Sequence, residues 1–139
     1  MTISKIRLEL ATSFGREPTR EYWPSSAEDT INEAIRFVLQ SSLMHKFGFA
    51  ELYFYDHQAQ TPLQFHFGIQ SQHSGKWYRN GRPIPLDNGK VDIVYQESPD
   101  RDIKDAMPYI DMAKRLVPHG SRFVVERWEK GAEDIVEGI

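Results

Sequence analysis

Apolar residues in "SKIRLELAT" fall on every second position: Ile6, Leu8 and Leu10 alternate with Arg7 and Glu9. That period of two marks a strand buried on one face. It recurs in "GFAELYFYDH", where Ala50, Leu52 and Phe54 oppose Glu51, Tyr53 and Tyr55. In "PLQFHFGIQ", Leu63, Phe65, Phe67 and Ile69 oppose Gln64, His66 and Gln70. The short link "DHQAQTP" between these two predicts a hairpin. "KVDIVYQES" sets Val91, Ile93 and Tyr95 against Asp92 and Gln96, and "SRFVVERW" supplies the last strand.

Two segments change to a helical period. Ile31, Ala34, Ile35, Val38, Leu39 and Leu43 lie on one face of a helix. Ser25, three residues before Glu28, has capping-box spacing, and Gly48 is placed to end that helix. A second helix is expected from "SPDRD", with Ser98 as cap and Pro99 in the first turn, continuing through Ile103, Ala106, Ile110 and Ala113. Pro108 inside it predicts a kink or a break into two pieces. "GREPTREYWPSS" reads as a loop, and "EKGAEDIVEGI" as a weak hairpin partner or a loose tail.

The order is strand, helix, strand, strand, an inserted hairpin or strand, helix, strand. Without the insert it resembles the ferredoxin-like β-α-β-β-α-β arrangement. The expectation is therefore an α+β fold, an antiparallel sheet with two helices on one face and the first and third strands central. That resemblance implies no function, because the fold hosts many.

Composition narrows the classes. A chain of 139 residues fits one domain, 1–139, with 40% hydrophobic and 27% charged residues. There is no cysteine, which excludes disulfides, thiolate metal sites and a cysteine nucleophile. No apolar run reaches membrane-span length, and the formal charge of −3 gives no overall pull toward nucleic acid or anionic lipid. The expected location is the cytoplasm, with no membrane partner.

The most distinctive stretch is "QSQHSGKWYRNGRPIPL", residues 70–86. Over residues 70–90, four cations, Lys76, Arg79, Arg82 and Lys90, stand against one carboxylate, Asp87, with Trp77 and Tyr78 interleaved. Asn80-Gly81 is a favoured centre for a tight hairpin turn. The bland reading is an inserted hairpin whose arginines guard a sheet edge. The functional reading makes Lys76, Trp77, Tyr78, Arg79 and Arg82 a partner-binding element, since aromatics and arginine concentrate in binding hot spots.

A second surface is the sheet face left uncovered by helices. It carries Arg7, Glu9, Glu51, Tyr53, Tyr55, Gln64 and His66, and Glu9, Tyr53 and His66 mark an expected ligand site. The plain alternative is that tyrosines suit strands sterically and cross-strand Arg–Glu pairs are ordinary decoration. RNA recognition through this face is disfavoured: the signature of that fold is absent and Arg7 and Glu9 stand where stacking aromatics belong.

Catalysis finds little support. No histidine pair has ligand spacing, no G-x-S-x-G occurs, and no glycine-rich phosphate loop is present. His66 with Glu9 is the best acid–base pair, and Asp56, His57 and His73 form the one conceivable metal set. No cofactor, metal or catalytic residue is expected. The sequence favours a small non-catalytic binding or adaptor protein, with the 72–86 hairpin and the open sheet face meeting a protein partner. The alternatives are an enzyme or small-ligand protein using the sheet face, a homodimer through that face, and nucleic-acid binding by the basic-aromatic hairpin.

Overall fold

The computed structural model describes residues 2–79, 82–85, 89–127 and 133–139, with the backbone alone described for 73–79, 82–85, 133 and 134. In chain order the strands are β1 (Lys5–Thr12), β2 (Gly15–Arg16) and β3 (Arg20–Tyr22), followed by a 3-10 turn at Pro24–Ser26 and helix α1 (Ala27–Leu43). Then come β4 (Gly48–Tyr55), β5 (Leu63–Ser71), β6 (His73–Arg79), β7 (Arg82–Pro85) and β8 (Val91–Gln96). Helix α2 (Ile103–Leu116), β9 (Arg122–Glu126) and β10 (Glu133–Gly138) complete the chain.

The fold is α+β, with eight strands in one open sheet ordered β10-β9-β8-β5-β4-β1-β2; β3 lies beside β2 on the outer edge of β1. Every pairing in it is antiparallel except β8 with β9, which α2 connects as a parallel crossover. β6 and β7 pair antiparallel as a separate two-stranded ribbon.

This order departs from the ferredoxin-like one. There the first strand is central, whereas here β1 pairs antiparallel with β4 and has only β2 and β3 beyond it. Val91–Gln96 departs as well: it is a full member of the main ladder, seated between β5 and β9, and not part of an insert. The expected loop at 15–22 also pairs back onto β1.

The alternation does what it predicts. Ile6, Leu8, Ala50, Leu52, Phe54, Phe65, Phe67, Ile69, Val91 and Ile93 are fully buried under the helices. α1 contributes Ile31, Ala34, Ile35 and Val38, and α2 contributes Ala106, Ile110 and Ala113. Phe54 anchors this layer, with its ring centroid 4.5 Å from both Phe65 and Tyr109.

Helix ends were less predictable. α1 starts at Ser26, not Ser25, and stops before Gly48: His45, at φ 58°, takes the left-handed position that ends it. α2 is capped by Asp102, whose carboxylate accepts the Lys104 N–H at 2.9 Å, while Ser98 and Arg101 close a turn upstream. Pro108 does not break α2, which runs uninterrupted across it. The proline lies on the exposed face, where the carbonyl it leaves without an N–H is that of exposed Lys104.

Candidate functional site

Register decides what meets on the open sheet face. Arg7, Tyr53 and His66 form one row across β1, β4 and β5, and Glu9, Glu51, Gly68 and Val94 form the next. Glu9 and Glu51 are therefore direct cross-strand neighbours, an unfavourable pairing of like charges. Each has its own neighbour: Arg7 Nε lies 3.6 Å from Glu9 Oε1, and His66 Nδ1 lies 3.4 Å from Glu51 Oε2. The Arg7 guanidinium carbon also sits 4.5 Å above the Tyr53 ring and 5.3 Å from that of Tyr55, and Lys5 reaches Tyr55 at 5.2 Å. Tyr53 stacks on His66, with centroids 5.3 Å apart and ring planes 22° apart. Burial raises the Tyr53 phenol above its ordinary value, with Glu51 and Glu9 adding to the effect, so it stays neutral.

Of Glu9, Tyr53 and His66, only His66 lines a recess here. That recess holds about 90 Å³ over Gly68, with Glu51, Gln70, Val94, Gln96 and Glu126 around it. His66 reaches Glu51 and not Glu9, because β4 lies between β5 and β1. Among the described residues the face is thus a self-paired layer of rings and charges with a small recess beside His66.

The expected partner-binding hairpin has its backbone in place as β6 and β7. The Asn80-Gly81 turn and the side chains of Lys76, Trp77, Tyr78, Arg79 and Arg82 lie outside the described residues. Among the described residues no His, Cys, Asp or Glu group is arranged to hold a metal ion. Asp56 acts as a turn former, its Oδ1 accepting the Gln58 N–H at 3.0 Å, and His57 stacks on Tyr55; the His73 side chain is outside the description.

A second concavity is one that sequence reading missed. A cleft of about 840 Å³ opens between α2 and the β8–β10 end of the sheet. Ile103, Met107, Phe123, Val125 and Val136 supply its apolar surface, and Tyr95, Ser98, Arg101, Lys114 and Arg127 its polar rim. It exists because α1 and α2 pack over the central strands, leaving β9 and β10 to project past α2. Only the inward parity of Tyr95 was readable in advance.

No known protein family, curated protein or solved structure matches this chain. Among the described residues no helix is long and apolar enough to cross a membrane.

Proposed function

We propose that this chain is a small non-catalytic binding protein that meets a protein partner through its open sheet face and the β6–β7 hairpin. The carrying observation is Arg7 lying over Tyr53 and Tyr55 in a layer already held by its own ion pairs. Such a surface presents rigid aromatic and guanidinium area at little conformational cost, the composition that dominates binding energy in protein interfaces. Glu9 and His66 meet different partners, Arg7 and Glu51, so the two do not form an acid–base pair, which favours recognition over proton transfer. The cytoplasm belongs to the same reading, since a chain without cysteine folds independently of the redox state there.

The test is affinity capture from native lysate, with and without nuclease. The tagged chain is compared with Arg7→Ala/Tyr53→Ala and Trp77→Ala/Arg79→Ala variants. A stoichiometric protein that survives nuclease and is lost from the first variant supports the sheet face; loss from the second alone moves the site to the hairpin. Capture of nucleic acid only, with steep salt dependence, would replace the proposal by the nucleic-acid alternative. A concentration-dependent dimer abolished by Arg7→Ala/Tyr53→Ala would make the partner a second copy.

A further inference from the structure

We infer that the cleft between α2 and β8–β10 is a binding site for a small monocarboxylate with an apolar body. This site is independent of the sheet face and lies on the other side of the sheet. Tyr95 is 2% exposed as a residue and lines the cleft; its hydroxyl, which is not sealed from solvent, makes no hydrogen bond to the protein among the described residues. A phenol that faces a cleft with no protein partner is free to meet a ligand atom in place of solvent. Burial raises its pKa, which keeps it a hydrogen-bond donor at neutral pH, and Arg101 lies near enough to pull the other way.

Apart from the exposed carboxylate of Asp100, the other charges around the cleft are committed. Lys114 is held by Glu137 at 2.6 Å and by Asp111 at 3.5 Å, and Arg127 is paired with Glu97 at 3.1 Å. Asp102 is occupied as the cap of α2, and Asp100 is exposed on the turn. Arg101 is half-buried and makes no side-chain hydrogen bond or ion pair among the described residues. The two open groups, guanidinium and phenol, are therefore both donors, matching one carboxylate. A dianionic phosphate would bring its extra charge against Glu97, Asp100 and Asp102, all on the same wall. The volume of about 840 Å³ falls within the range of small-molecule sites, and the apolar surface of Phe123, Val125, Ile103 and Met107 suits an alkyl or aryl body.

The experiment titrates the full chain with octanoate and 4-phenylbutyrate, followed by amide shifts in ¹⁵N–¹H spectra. Parallel arms use the matched primary amides and the tripeptide Gly-Gly-Phe with a free C-terminus. The expected result is saturable shifts centred on Glu97–Ile103 and Phe123–Val125. Affinity should fall about tenfold for the amides and in Arg101→Gln, the scale of a lost charged hydrogen bond. Tyr95→Phe, which keeps the buried ring, should weaken the acids severalfold and leave the amides unaffected. Equal binding of acid and amide, no effect of Arg101→Gln, shifts centred on His66, or binding of the tripeptide alone would each overturn the assignment.

Discussion

Arg122 clasps Asp92 across the parallel β8–β9 ladder, Nε to Oδ1 and Nη2 to Oδ2, both at 2.7 Å. The Asp92 side chain is 2% exposed, so the pair is bidentate and nearly dry on the carboxylate side. Removing one member of such a pair costs more than the pair contributes, because the other charge stays buried. Arg122→Ala is therefore expected to lose about 3–5 kcal/mol in urea unfolding. Arg122→Lys should fall between, since an ammonium cannot reproduce the two-pronged geometry. An Arg122→Ala midpoint close to the parent's would show that the pair is not what joins β9 to β8.

His45 ends α1 with the Schellman pattern: its N–H donates to the Ser42 carbonyl at 3.0 Å, and the Lys46 N–H to that of Ser41 at 2.9 Å. Its φ of 58° is a conformation that costs a side chain about 1 kcal/mol and glycine nothing. His45→Gly should raise stability by roughly 0.5–1 kcal/mol in thermal or chemical melts. A destabilised His45→Gly would mean that the imidazole contributes more than the strain costs.

Four tyrosines hold their protons past the ordinary phenol range. Burial is the first cause for Tyr22, Tyr53, Tyr95 and Tyr109, and Tyr22 is also hydrogen-bonded to Glu33 at 2.6 Å. Their folded pKa values lie above the unfolded one, so the unfolded chain loses protons first. The stabilisation is complete below about pH 10 and is lost as pH rises through the folded values. Absorbance at 295 nm should show delayed tyrosinate formation relative to the chain in urea, with alkaline unfolding following. Superimposable titrations in the two states would remove this linkage.

Gly48 opens β4 where it passes α1, and its N–H donates to Ser71 Oγ at 3.0 Å. A Cβ here would sit 2.6 Å from Ser41 Cβ and 2.8 Å from Ser41 Oγ, inside a buried contact. Gly48→Ala should cost about 1–3 kcal/mol, as overpacking does. Gly138, with nothing within 4 Å of the added atom, serves as the comparison and should change stability by less than about 0.5 kcal/mol as Gly138→Ala.

Much of the fold was legible because burial imposes its period on the chain. The buried residues of four long strands, from Ile6 to Tyr95, are largely those the alternation selected. β2 and β3 were illegible because strands of two and three residues are too short to display any period. Sheet order was illegible for another reason: the place of β8 depends on which distant edge it meets, and its own residues do not record that. The site divides the same way. Parity placed Arg7, Tyr53 and His66 on one face, but the register gave His66 to Glu51 and left Glu9 to Arg7. The cleft needed the start of α2, set by Asp102 and not Ser98, before Arg101 and Tyr95 could share a wall.

The two borders of the sheet are finished differently, and this bears on how the chain keeps apart from its own copies. At one border β2 and β3 divide the outer side of β1 between them, and the Glu17 N–H reaches the Leu10 carbonyl at 2.9 Å, leaving no long free run of backbone. At the other, β10 reads Glu133, Asp134, Ile135, Val136, Glu137 and shifts register between Ile135 and Glu137. Negative charge and an irregular ladder are what discourage strand-to-strand stacking between molecules. Ile135 and Val136 already stand 59% and 52% exposed on this border, so the acidic residues that flank them in the sequence and the broken register are what keep a second copy from adding a strand there.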